Sequence, residues 1–124
     1  MSHDELSIDI KTEHNGDALI FRLKGSLDLA TSPIVRAALL EATNEGKHEI
    51  IVDLTQVSFI DSTGLGALIG GHRRAMENHG SVSLVILEGP IERLLNITGL
   101  MRVFKVYATL QSALEDTGRL TPSI

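Results

Sequence analysis

Apolar and polar residues alternate over Leu6–His14, with Leu6, Ile8 and Ile10 on one side, and again over Ala18–Lys24, with Leu19, Phe21 and Leu23. A period of two marks a half-buried strand. Asn15-Gly16-Asp17 between the two runs carries tight-turn chemistry, so together they predict a β-hairpin. The period then lengthens. Ser32-Pro33 reads as an N-cap and first helical residue, Ile34, Val35, Ala38, Leu39 and Ala42 form an inward stripe, and Gly46 stands where a helix ends. Glu49–Leu54 holds the compact run Ile50-Ile51-Val52, the pattern of a central strand covered on both faces.

A second helical period follows from Gly64, through Leu65, Leu68, Ile69, His72, Ala75, Met76 and His79 to a stop at Gly80. Val82–Leu87 predicts a strand, Gly89-Pro90 opens a short helix through Ile91, Leu94 and Leu95 that ends at Gly99, and Val103–Tyr107 predicts an edge strand. Thr109 caps a last helix with Leu110, Ala113 and Leu114 inward and Gly118 at its end. Strands alternating with helices imply parallel crossovers. The predicted fold is one small α/β domain over residues 6–118: a mixed, mainly parallel sheet of about five strands, an N-terminal antiparallel hairpin and about four helices. Residues 1–5 form an N-terminal extension and 119–124 a frayed tail.

Composition narrows the function classes. With 124 residues, 43% apolar and 22% charged, the chain suits one globular domain. No apolar run approaches the ~20 residues of a membrane helix, and the start MSHDELSIDI lacks a signal-peptide pattern. Zero cysteines exclude disulfides and thiolate metal sites and suit a reducing interior, so the cytoplasm is the expected location. The net charge of −5 and the single adjacent basic pair, Arg73–Arg74, disfavour nucleic acid as a direct partner. That pair falls off the apolar stripe and reads as a wet helix face.

Chemistry gathers at strand ends in open α/β sheets. Two segments bring polar residues there: Gly25-Ser26-Leu27-Asp28, and Asp61-Ser62-Thr63-Gly64 just before a helix beginning near Thr63 or Gly64. If the two strands are neighbours, Asp28 and Asp61 flank Ser62. The stretch Phe59–Gly71 starts as a buried strand and runs into a helix with four glycines, Gly64, Gly66, Gly70 and Gly71. Plain helix capping explains one of the polar residues. Each mid-helix glycine costs ~1 kcal/mol relative to alanine, which a docking surface or tight packing against the sheet would account for. The spacing Gly64-x-Gly66-x-x-x-Gly70 lacks the Lys-Ser/Thr of a phosphate-binding loop. Nucleophilic catalysis by Ser62 needs a histidine beside it. His72 and His79 fall on the apolar stripe as semi-buried packing residues, His3 is terminal, His14 borders the hairpin turn and His48 is in a loop. No metal-ligand spacing occurs. Neither an enzyme nor a cofactor is expected.

Val57-Ser58-Phe59-Ile60-Asp61-Ser62-Thr63-Gly64-Leu65-Gly66 resembles the phosphorylation-site motif of bacterial anti-sigma factor antagonists, members of the STAS domain family. Gly25-Ser26-Leu27-Asp28 resembles their second signature, usually Gly-Glu-Leu-Asp, with Ser26 in place of the glutamate. With element order and Gly99-Leu100, the resemblance covers roughly Ile8 to Asp116. It implies that an anti-sigma factor serine kinase phosphorylates Ser62 (Thr63 being the alternative acceptor), that the unphosphorylated form binds this kinase and frees the sigma factor, and that a serine phosphatase resets the switch. The implied partner surface is Ser26, Asp28, Asp61, Ser62, Thr63, Gly64, Leu65 and Gly66. Separately, the short, capped edges of the predicted sheet point to a monomer when free. A non-switching scaffold within a larger sensory or membrane-associated assembly is the alternative reading, and a small nucleotide-binding or hydrolytic domain is a third.

Overall fold

The computed structural model describes residues 7–47 and 49–117. Strands β1 (Ile8–Asn15) and β2 (Ala18–Leu27) form the hairpin, and helix α1 (Ser32–Asn44) leads to strand β3 (Glu49–Ile60). Helix α2 (Ser62–Glu77), strand β4 (Ser81–Val85), helix α3 (Pro90–Thr98), a single 3-10 turn at Leu100–Arg102, strand β5 (Lys105–Tyr107) and helix α4 (Leu110–Thr117) complete the described chain. The sheet order is β1-β2-β3-β4-β5, with β1 antiparallel to β2 and the other neighbours parallel. This is the mixed α/β domain that the hydrophobic pattern predicts. The readings on His3, His48, Gly118 and residues 1–5 and 119–124 lie outside the described residues.

The two faces of the sheet are covered unequally. Leu19, Phe21 and Leu23 of β2, Ile50, Val52 and Leu54 of β3 and Val82 and Leu84 of β4 share one core with Val35 and Leu39 of α1, Leu65 and Leu68 of α2 and Leu95 of α3. A second, smaller core joins Ala18, Ile20, Ile51 and Val85 to Ala113 of α4. Because α4 covers only the start of β2, residues 18–21 are buried on both faces, whereas Arg22 and Lys24 further along face water. Arg22 there pairs with Glu13 of the neighbouring strand at 3.1 Å.

Several boundaries differ from the sequence-based expectation. The central strand runs to Ile60 rather than Leu54, because two register shifts against β2, after Arg22 and after Gly25, interrupt its alternation without ending its pairing. Gly25 has φ +123°, and a Cβ there would lie 2.6 Å from the Ser7 carbonyl oxygen, so glycine is required at this irregularity. Phe59 is 53% exposed, not buried. Thr31, not Ser32, is the N-cap of α1, which moves Ser32 and Pro33 into the first turn. Ile34 and Met76 point to solvent, off their stripes. At the end of α2 the left-handed residue is His79 (φ 68°), an exposed residue rather than a packing one, one position before Gly80.

Candidate functional site

The parallel register pairs Leu27 with Ile60, so β2 and β3 end side by side. The Asp61 N–H donates to the Leu27 carbonyl oxygen at 3.2 Å and closes the two strands at this rim. Beyond it the chains diverge, β2 into a loop toward α1 and β3 directly into α2.

Asp61 is the N-cap of α2, so the helix begins at Ser62 rather than near Thr63 or Gly64. Its Oδ1 accepts from the Thr63 hydroxyl at 2.5 Å and from the Gly64 N–H at 3.0 Å, and its Oδ2 accepts from the Leu29 N–H at 3.2 Å. One carboxylate thus caps a helix and ties down the neighbouring loop. The Thr63 hydroxyl, followed by the Gly64 N–H, holds the Asp61 carboxyl below the usual carboxylate range.

Asp28 serves its own loop. Its Oδ1 accepts from the N–H groups of Ala30 (3.0 Å) and Thr31 (3.1 Å), the Asx-turn that aspartate favours. The Thr31 hydroxyl accepts from the Asp28 N–H at 2.9 Å and donates to the Ser26 carbonyl oxygen at 2.7 Å. Thr31 is buried, so this network fixes the half-buried Ser26 and Asp28, on either side of buried Leu27, against the start of α1.

Ser62 differs from its neighbours. It is exposed, it is the first residue of α2, and its hydroxyl has no hydrogen-bond partner among the described residues. Thr63 is half-buried with its hydroxyl committed to Asp61. The structure therefore brings Ser26, Asp28, Asp61, Ser62 and Thr63 to one rim, where the Thr63 hydroxyl is committed to Asp61 and the Ser62 hydroxyl is exposed and without a partner among the described residues.

Gly64 and Leu65 are buried. A Cβ on Gly64 would lie 2.4 Å from the Leu27 carbonyl oxygen, so this glycine permits the close approach of α2 to its own β2 rather than of another chain. Gly71 is likewise a packing position, against Leu39 of α1 instead of the sheet. Gly66 and Gly70 have open space where a Cβ would point. Three apolar residues are exposed at or just beyond the carboxyl ends of β2, β3 and β4, which the sequence pattern does not predict: Leu29 (72%), Phe59 (53%) and Leu87 (58%). The sequence carries no local signal of this exposure, since Leu29, Phe59 and Leu87 continue the alternation of Leu27, Val57 and Val85.

His72 lies away from this rim, its Nδ1 accepting from the Val82 N–H at 3.1 Å and its ring 5.1 Å from that of Phe104. Among the described residues, no group of three or more His, Cys, Asp or Glu side chains is gathered to hold a metal ion, and no helix is long and apolar enough to cross a membrane.

The STAS domain model matches residues 9–113. The chain is 32% identical over 112 residues to the anti-sigma F factor antagonist of Paenibacillus polymyxa, covering 90% of this chain and 96% of that protein. It is 34% identical over 103 residues to the anti-sigma-B factor antagonist of Listeria monocytogenes, covering 82% and 88%. Its fold is similar to the crystal structure of an anti-sigma factor antagonist from Mycobacterium paratuberculosis, with a TM-score of 0.81, 25% identity, and coverage of 88% and 92%.

Proposed function

Since this chain belongs to the STAS domain family, we propose that it is a cytoplasmic anti-sigma factor antagonist switched by phosphate on Ser62. In the unphosphorylated state it binds an anti-sigma factor that is also a serine kinase, and the sigma factor is released. Phosphorylation of Ser62 by that kinase ends the association, and a serine phosphatase restores it. The chain performs no catalysis of its own. The observation that carries this reading is the exposed, unpartnered Ser62 hydroxyl beside a Thr63 hydroxyl already committed to Asp61.

The physics of the added group supports it. A phosphoserine carries about −1.5 to −2 charges. At the start of a 16-residue helix it meets the positive end of the helix dipole, a favourable placement of up to ~2 kcal/mol. The free domain therefore accepts the modification without refolding. In a closed interface, repulsion from one unit charge at ~5 Å and an effective dielectric near 20 amounts to about 3 kcal/mol, roughly two decades of affinity. The exposed Leu29 and Phe59 supply the apolar area such an interface needs, while Asp28 and Asp61 shape the rim from behind it.

The test is to titrate wild type, Ser62→Ala and Ser62→Asp against each anti-sigma factor kinase encoded in the same genome. Binding by wild type and Ser62→Ala with loss in Ser62→Asp is expected. Equal binding by all three removes the switch and leaves a non-switching scaffold.

A further inference from the structure

Between α1 and α2, away from the strand ends, lies an open groove of about 320 Å³, lined by Arg36 and Leu40 of α1 and by Gly70, Arg73, Arg74 and Glu77 of α2. Three of the chain's 11 lysines and arginines line it, in a protein of net charge −5. The Arg74 guanidinium donates to Asn44 Oδ1 at 2.9 Å, which holds it across the helix pair. Arg36 and Arg73 form no ion pair among the described residues, where the single one joins Arg22 to Glu13. Glu77 is the only acid in the lining and leaves the balance strongly positive.

Ser62 lies on the same helix as the groove, and on the same side of it as Gly70. Ser62, Gly66 and Gly70 follow one another at four-residue spacing, which places them along one strip of α2. Neither Gly66 nor Gly70 is explained by packing, since a Cβ at either would meet nothing within 4 Å. Each nevertheless weakens the helix relative to alanine. Their effect is a track of bare backbone that runs from the Ser62 hydroxyl for about 12 Å, at ~1.5 Å per residue, to the arginines.

We propose that this groove is a second contact for the protein that engages Ser62, and that it receives a carboxylate-rich segment of that partner. The inference rests on the reading of Ser62 given above and extends it to partner choice. Arginine forks pair with carboxylates in two-point fashion. Leu40, 41% exposed, offers an apolar contact beside them. No aromatic ring lines the groove to stack a nucleobase, which favours a peptide segment over a nucleotide.

Two measurements test the groove. In the first, amide NMR signals of the whole chain are followed during titration with a synthetic oligoglutamate peptide. Shifts are expected at Leu40, Gly70 and Gly71, and are expected to vanish in the Arg36→Ala/Arg73→Ala/Arg74→Ala variant. Absence of shifts, shifts scattered over the surface, or a groove response to ATP but not to peptide overturns the proposal. In the second, the kinase that binds wild type is titrated with the triple variant at several salt concentrations. Binding about tenfold weaker, the scale of three exposed ion pairs, with a shallower salt dependence is expected. Unchanged affinity overturns the groove and leaves the Ser62 reading standing. Failure of wild type to bind any kinase defeats the Ser62 reading instead, and the peptide titration still decides whether the groove takes carboxylates.

Discussion

Alanine substituted in turn for the glycines of α2 separates a built contact from an open face. At Gly64 the new Cβ would stand 2.4 Å from the Leu27 carbonyl oxygen and 2.8 Å from Leu27 Cγ. The oxygen is backbone and already accepts the Asp61 N–H, so it cannot yield without loosening the rim. Overpacking of this kind costs ~1–3 kcal/mol, and the upper end applies where a fixed carbonyl is struck. Alanine returns ~1 kcal/mol of helix propensity. The net expectation for Gly64→Ala is destabilisation by about 2 kcal/mol. At Gly66 and Gly70 nothing lies within 4 Å of the new atom, so only the propensity gain acts and each variant is stabilised by ~1 kcal/mol. Gly71→Ala falls between, because its Cβ would meet side-chain atoms of buried Leu39, Cδ1 at 2.6 Å and Cβ at 3.1 Å, rather than a backbone carbonyl. Urea unfolding measures all four. With a slope of ~2 kcal/mol per molar, the Gly64→Ala and Gly66→Ala midpoints separate by about 1.5 M. Coincident midpoints, or destabilisation at Gly66 or Gly70, would refute the assignment of Gly64 to packing and of the other two to open surface.

Other consequences follow from the same geometry. Asp61→Asn keeps an acceptor for the Gly64 N–H but gives up the carboxylate that serves Thr63 and Leu29, and Asp61→Ala gives up all three bonds; thermal midpoints should fall in the order wild type, Asn, Ala. Burial lowers the His72 pKa, so the unfolded chain takes up its proton first, and stability should be complete above pH ~6.5 and decline as pH falls below it. The slope stays under the ~1.4 kcal/mol per pH unit set by one proton, because solvent reaches part of the ring; pH-dependent urea melts check this, with His72→Gln expected to flatten the decline. Ser83 Oγ is buried with no hydrogen-bond partner among the described residues, so Ser83→Ala should be neutral or stabilise by up to ~1 kcal/mol in the same assay.

The fold was legible because each element carries its own period and punctuation. The hairpin at Gly16, the Gly89-Pro90 helix start and the left-handed Gly99 all stand where local chemistry predicts. The second half of β3 was not legible, since its register shifts against β2 are a property of the pair rather than of either strand. In Asp61-Ser62-Thr63 three good capping residues stand in a row, and only the Leu29 and Gly64 N–H groups determine that Asp61 caps and Ser62 is left free. Gly64 and Gly66 are alike in sequence and opposite in role, because the distinction lies with Leu27 across the rim. The outward turn of Phe59 at the end of a buried strand likewise had no local cause.

The central claim is that an anion added to one rim hydroxyl abolishes association and spares the fold. Its most direct test starts from wild-type protein phosphorylated by its kinase with ATP, with the modified residue located by mass spectrometry. Affinity for the kinase and the thermal midpoint are then compared with those of the unmodified chain. A single phosphate on Ser62, affinity at least ~100-fold lower and an unchanged or slightly higher midpoint are predicted. A phosphate on Thr63, undiminished binding, or loss of binding that merely accompanies unfolding would contradict it.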